Sequence, residues 1–382
     1  MSEAVEKIGR SFIVSIMSDK SEFQTDRNGS SPRSQMRSSG GSGAPDNIKK
    51  IDRRLTVAPM MAWTDRHCRY FHRLITPHAL LYSEMITPGA LLHNDPARFI
   101  SFNEAEHPVA LQIGGSDPDQ LAEATRLGCE FRYDEINLNC GCPSERVQNN
   151  SFGACLMAEP ELVADCVAAM TEAANPFGIP VTVKTRIGID EQDSYQFVHR
   201  FISTIYEQTG CEVFILHARK AWLKGLSPKE NRNIPELRYE TVYQLKRDFP
   251  GLEILINGGI ETWDDIALHL KQTDGVMLGR QAYHDPYSLA TFEHKIYGTP
   301  IPARAEIARG MIPYIKGHIE TGGRAHDVVR HMLGLYRDIP GAKRWRQVLS
   351  TAHQEGTGAD IIEEAIAAVE RTAMPPRRYG TD

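Results

Sequence analysis

Asn139-Cys140-Gly141-Cys142-Pro143-Ser144 is the stretch of this 382-residue chain best placed to do chemistry. It follows a short apolar run at 134–138 that reads as a buried strand. Gly141 permits a bend before Cys142, and Pro143 fixes the backbone after it. A thiol in such a loop can serve as a nucleophile or as a general acid, and the residue type alone leaves both open. No metal site is indicated. Cys140 and Cys142 are too close in sequence for a zinc ribbon, and no second Cys or His pair completes four ligands. The remaining cysteines are scattered, which fits reduced thiols in a cytoplasmic setting better than a disulfide framework.

The elements that must hold this thiol follow from the hydrophobic pattern. Short apolar runs recur at 55–59, 80–84, 109–113, 134–138, 181–185, 213–217, 253–257 and 275–279. Helical spacing lies between them, as in Leu162, Cys166 and Met170, and in Phe197, Phe201 and Ile205. Parallel strands alternating with helical crossovers predict a (β/α)8 TIM barrel over 51–300. A doubly wound open sheet is the alternative, but its Gly-rich first turn is missing: the first run ends in Ala58-Pro59-Met60-Met61. Beyond Pro302 only helical stripes recur, so a small all-helical C-terminal domain is expected over 301–382. Residues 1–50, with Gly29-Ser30-Ser31-Pro32 and the Gly/Ser run at 38–43, read as a core-poor, disordered tail. No apolar run is long enough for a membrane span or a secretory h-region, and Glu3, Glu6, Asp19, Glu22 and Asp26 argue against a transit peptide.

In a barrel of this kind, chemistry gathers at the C-terminal ends of the strands. Those ends carry Pro59, Met60 and Met61; Glu84; Gln112; Asn139 and Cys142; Lys184 and Arg186; His217 and Arg219; Asn257, Gly258 and Gly259; Gly279 and Arg280. Each polar residue taken singly could be a satisfied core residue; their coincidence on one face is what points to a site. The small residues ending the last two strands fit a phosphate site, with Arg280 adding a charge-assisted contact. No dinucleotide fingerprint is present, so the phosphate would belong to FMN or a sugar phosphate. Lys184 would suit either a Schiff-base aldolase or a permanent cation beside a flavin or a carbonyl.

The formal net charge of −6 excludes a global nucleic-acid field, while leaving local basic faces. Arg219, Lys220, Lys224, Lys229 and Arg232 oppose a single Glu230 between 217 and 233. A second basic stretch covers 301–350, where Lys343 and Arg346, three apart, share a helix face. Read alone, either cluster is a solvated surface.

Several longer motifs carry a resemblance. Val57-Ala58-Pro59-Met60, Thr64-Asp65-Arg66, Leu138-Asn139 with Gly141-Cys142-Pro143-Ser144, Val183-Lys184-Thr185-Arg186 and Asn257-Gly258-Gly259-Ile260 together resemble the tRNA-dihydrouridine synthases. His217 to Leu223, Gly225 to Arg232 and Arg330 to Leu335 are similar to the family's A branch, which acts at positions 20 and 20a. The resemblance covers Leu55 to the end. It implies reduction of the C5=C6 bond of uridine in the tRNA D loop, with FMN in the barrel mouth and NADPH or NADH as reductant. Carried over by position, it implies that Pro59, Met60, Met61, Gln112, Lys184, His217, Asn257, Gly258, Gly259, Gly279 and Arg280 bind the flavin. It makes Cys142 the general acid that protonates C5 after hydride reaches C6. It assigns Asn139, Lys229, Arg232, Lys343 and Arg346 to tRNA, and makes the helical domain the docking domain of a cytoplasmic monomer. Cys140 departs from the family's pattern, which commonly has an apolar residue there. A flavoenzyme acting on a free pyrimidine, a lysine-type aldolase and a non-catalytic tRNA-binding protein are the competing readings.

Overall fold

Eight parallel strands close on themselves in sequence order, β1 (Leu55–Val57), β2 (Leu80–Ile86), β3 (Val109–Ile113), β4 (Glu135–Cys140), β5 (Val181–Arg186), β6 (Val213–His217), β7 (Glu253–Asn257) and β8 (Gly275–Leu278), with β8 pairing back to β1. The computed structural model describes residues 50–144 and 152–373. The expected tail of 1–50 lies outside the described residues, Lys50 apart. The strands begin within a residue of the apolar runs, but β2, β4 and β5 run further than expected, through Ile86, Cys140 and Arg186. Asn139 and Cys140 are therefore strand residues, and the loop proper starts at Gly141.

The main crossovers are α1 (Arg66–Arg73), α2 (Pro118–Glu130), α3 (Pro160–Ala174), α4 (Tyr195–Thr209), α5 (Tyr239–Asp248), α6 (Trp263–His269) and α7 (Ser288–Tyr297). Their starts follow local chemistry. Asp117 accepts the Gln120 N–H ahead of Pro118, Ser194 accepts the Phe197 N–H, and Thr262 forms a capping box with Asp265. Helix α4 stops at Gly210, where φ is 70°.

Alternation along the strands splits the interior in two. One parity faces the helices and joins the main core, with Val57, Leu111, Ile136, Leu138, Val183, Phe214, Leu216 and Ile256. The other parity fills the lumen with Ala58, Leu80, Tyr82, Ala110, Val213, Ile215, Leu255 and Met277. Where strands reach the mouth, the lumen parity passes to Gln112, Asn139, Lys184 and Arg186, His217 and Asn257. Strand pairing sets Gln112 opposite Asn137, Asn139 opposite Lys184, Arg186 opposite His217 and His217 opposite Asn257.

Beyond β8 the described chain is helical: α8 (Arg304–Gly310), α9 (Ile312–Glu320), α10 (Ala325–Val329), α11 (Ala342–Leu349) and α12 (Ile361–Ala373). Two expected stripes are broken. Pro313 in the first turn of α9 separates it from α8 at Met311, and Met332 and Leu335 lie in turns after α10. Gly334 lies in those turns at a close approach, where a Cβ would sit 2.6 Å from the His284 carbonyl oxygen. Ile307, Ile315, Val328, Met332, Trp345 and Ile362 belong to the same buried cluster as the barrel's outer face, so the helical segment shares its core with the barrel. Trp345 anchors it, donating its indole N–H to the Met332 carbonyl at 2.9 Å. Among the described residues no helix is long and apolar enough to cross a membrane.

Candidate active site

Cys142 follows the end of β4 in a loop that Asn139 shapes from below. The Asn139 Oδ1 accepts the N–H groups of Gly141 at 3.1 Å and Cys142 at 3.0 Å. Its Nδ2 donates to Gln112 Oε1 at 2.8 Å. Asn139 is only 8% exposed, so it is reachable by a base inserted into the mouth and not by a backbone phosphate running across the rim. The side chain holds the loop.

Burial pushes the Cys142 thiol up from its ordinary 9.0, against the opposing pull of the Ser144 backbone hydrogen bond and the positive charges of Arg186, Arg232 and Lys184. The group is a neutral thiol at physiological pH. Cys140 is accounted for by parity. Its side chain is fully buried in the core between sheet and helices, and both thiols are free, so it is a packing residue.

Lys184 and Asn257 meet across the lumen, the Nζ donating to Oδ1 at 3.2 Å while Asn257 Nδ2 donates to the Met277 carbonyl at 2.7 Å. The lysine is only partly buried as a residue, but its ammonium end is desolvated. Burial, with Arg186 nearby, brings its pKa down to about 7. An anion against Nζ would draw that value back up. His217 is held well below its ordinary value by burial and by Arg186, Lys184, Arg219 and Arg232, and is therefore neutral. Its ring occupies the space above Gly258, where φ is 117° and a Cβ would lie 2.7 Å from the ring. Gly259, at φ 68°, is crowded by Leu237 and Tyr239. A Cβ on Gly279, by contrast, would meet nothing within 4 Å.

That open corner is ringed by arginines. Burial and the charge of Arg280 lower both Arg219 and Arg232. Arg280 donates to Asn233 Oδ1 at 2.7 Å. Arg219 hydrogen-bonds the Pro235 carbonyl, yet its buried Nε has no partner. Among the described residues none of the three forms an ion pair with a carboxylate. Mutually repelling guanidinium groups and an orphaned buried N–H beside an open glycine fit an anionic group such as a phosphate.

Arg186 was visible as a strand end but not singled out. It is 3% exposed, donates from Nε to the Gly141 carbonyl at 2.9 Å, and from Nη1 to the carbonyls of Lys220 at 2.9 Å and Asn231 at 3.1 Å. It thus ties the thiol loop to the loop after β6. The signal was parity, since two residues past Lys184 is the same strand face. Asn231, fully buried, shapes the β6 loop through three hydrogen bonds to Trp222 and Leu226.

The first loop is braced from several sides. Met60 N–H donates to Thr64 Oγ1 at 2.8 Å and Ala62 N–H to Glu84 Oε1 at 2.5 Å. Pro59 and Met60 are half-buried, and Met61 is 63% exposed. Lys229 and Arg232 sit on the β6 loop, exposed, though the Arg232 head group is close enough to the thiol to act on it electrostatically. Lys343 and Arg346 are exposed on α11. The structure therefore gathers Gln112, Asn139, Cys142, Lys184, His217, Asn257, Gly258, Gly259, Gly279, Arg280 and Arg232 around the mouth.

A cavity of about 930 Å3 opens at the opposite end of the barrel, lined by Lys50, Arg53, Glu253 and Asp274 among others. Arg53 already pairs with Glu135 and Glu253, and Asp274 with Lys246, so its charges do not call for a ligand.

A family model described as dihydrouridine synthase (Dus) matches residues 56–371. The tRNA-dihydrouridine(20/20a) synthase of Vibrio parahaemolyticus is 54% identical over 321 residues, covering 83% of this chain and 97% of the relative. That of Shewanella oneidensis is 54% identical over 328 residues, with 85% and 96% covered. That of Escherichia coli K12 is 53% identical over 319 residues, with 83% and 91% covered. Family match and near-full-length identity agree with the constellation at the barrel mouth: the chain belongs to the dihydrouridine synthase family and is an oxidoreductase.

Proposed function

We propose that this enzyme reduces the C5=C6 bond of uridine in the tRNA D loop, at positions 20 and 20a, with Cys142 as the proton donor. The observation that carries the reading is the pairing, in one barrel mouth, of a desolvated neutral thiol with an anion-ready arginine and glycine corner. The relatives' printed activity supports the substrate. Bound FMN, recharged by NADPH or NADH, supplies the hydride that goes to uracil C6. The residues present fit that group. Gly279, Arg280 and Arg219 would take its phosphate, Lys184 and Gln112 its ring edge, and Pro59, Met60, Met61, His217, Asn257, Gly258 and Gly259 would line the rest.

Each side chain then has a task. Cys142 holds a proton for C5, where charge develops once C6 is reduced, and burial keeps the proton on sulfur until then. Lys184, poised near neutrality, gains its proton as negative charge arrives beside it. His217 fills the space above Gly258 without adding charge. The uridine must leave the RNA stack to reach the mouth, and Lys229, Arg232, Lys343 and Arg346 would hold the surrounding backbone through their exposed cationic heads. The helical segment carrying Lys343 and Arg346 is then the docking face. A lysine with pKa near 7 also suits Schiff-base chemistry, but family membership sets the aldolase reading aside. The test is direct: purified protein, NADPH and unmodified tRNA should yield dihydrouridine mapped to positions 20 and 20a. Product at other positions, or on free uridine alone, contradicts the assignment.

A further inference from the structure

We infer that Glu135, at the far end of β4, is a positioning residue for the Cys142 loop, acting through a one-way chain of hydrogen bonds inside the barrel. The Glu135 side chain is fully buried and receives three donors: Arg53 Nε at 2.7 Å on one oxygen, and Tyr82 OH at 2.5 Å and Thr182 Oγ1 at 2.7 Å on the other. Thr182 gives its only proton to the carboxylate, so it must accept from its other neighbour, and Asn137 Nδ2 donates to it at 2.8 Å. That turns Asn137 Oδ1 toward Gln112, whose Nε2 donates at 2.8 Å. Gln112 Oε1 then faces Asn139 and accepts from its Nδ2 at 2.8 Å. Only Asn139 Oδ1 remains for the loop, and it accepts the Gly141 and Cys142 N–H groups.

Every link therefore donates toward Glu135. The two ends demand the same polarity, because a carboxylate only accepts and backbone N–H groups only donate. No amide in the chain can flip without leaving two donors or two acceptors face to face in a buried site, a costly arrangement. The chain visits β5, β4, β3 and β4 again, and spans the four residues from Glu135 to Asn139, roughly 13 Å of strand. A carboxylate remote from the thiol thus fixes which face of Asn139 the loop meets, and so where Sγ stands. This rests on Cys142 being the proton donor.

The test breaks the chain without unpairing Arg53. Thr182→Val keeps shape and removes the hydroxyl, Thr182→Ser restores it, and Asn137→Leu removes the middle link independently. With holoenzyme, tRNA and NADPH, both breaking variants should lower kcat for dihydrouridine formation by on the order of ten- to a hundredfold, the scale of a small misplacement of a reacting group. KM for tRNA and the rate of NADPH-driven flavin reduction should stay near wild type, stability should fall by no more than one unpaired buried donor costs, and the Ser variant should recover turnover and stability. If Thr182→Val turns over normally while Cys142→Ala is inactive, the positioning role is wrong and the proton donor stands. Wild-type turnover by Cys142→Ala removes both. Loss of turnover, flavin reduction and stability together, unrescued by Ser, shows a merely structural residue and overturns the inference.

Discussion

Cys142 keeps its proton because burial outweighs three nearby cations. The sign is testable without turnover. A thiol whose pKa lies above 9.0 offers little thiolate at neutral pH, so iodoacetamide labelling of Cys142, read site by site by mass spectrometry, should stay slow from pH 7 to 8 and climb only beyond 9. Rapid labelling at pH 7 would mean a depressed pKa and a nucleophile. Gly258 makes a second prediction. Its φ of 117° and the His217 ring 2.7 Å from a would-be Cβ leave no room for alanine. Gly258→Ala should lower stability by about 1–3 kcal/mol, measured by denaturant melts, and displace His217. The thiol, Lys184, His217 and the glycines were legible in the sequence because strand ends in a barrel are known positions. The hold of Asn139 on the next loop was not, since a strand-end position does not say which neighbours the side chain bonds. Nor was the low pKa of Lys184, which arises from burial and from Arg186 two residues along the same strand face.

Among elements, the first loop and α1 show how barrel and helical segment are joined. Asp65 caps α1, its Oδ1 accepting the His67 and Cys68 N–H groups at 3.0 Å. Its Oδ2 takes Arg330 at 2.5 Å and His331 at 3.1 Å, and Arg330 also reaches the Ala62 carbonyl at 3.2 Å. One carboxylate therefore starts a helix and ties the loop of Met60 and Met61 to the segment after α10. Burial opposes ionisation of Asp65, but the hydrogen bond and charge of His331, with the Cys68 N–H and His67, hold its pKa well below 3.8. A depressed folded-state value gives stability that is present above 3.8 and is lost as pH falls toward the folded-state value. Asp65→Asn preserves the cap but not the charge. It should cost on the order of 1–2 kcal/mol at pH 7, since Arg330 is partly exposed, and the gap from wild type should narrow below pH 3.8. An unchanged gap at acid pH would contradict the ion-pair account. The strand starts were legible from apolar runs. The extensions of β4 and β5 were not, because lumen residues near the mouth are polar and break the hydrophobic pattern.

At the scale of the whole molecule, an acidic protein must hold a polyanion. Lys343 and Arg346 are exposed on α11 and, among the described residues, pair with no carboxylate. Reversing both charges should weaken tRNA binding and flatten its dependence on salt, by roughly one unit of slope for each phosphate no longer neutralised, while NADPH-driven flavin reduction continues. Unaltered affinity and slope would place docking elsewhere. The sequence made the closed barrel legible through its eightfold alternation, and the basic helices through their charge. The core that the helical segment shares with the barrel was not legible, because stripes do not say what they pack against. The proposed reaction turns on one proton. Cys142→Ala should keep flavin and tRNA affinity and still oxidise NADPH, yet in a single anaerobic turnover on unmodified tRNA form no dihydrouridine above a thousandth of the wild-type rate, about the contribution of a general acid. Dihydrouridine appearing at the wild-type rate would contradict it.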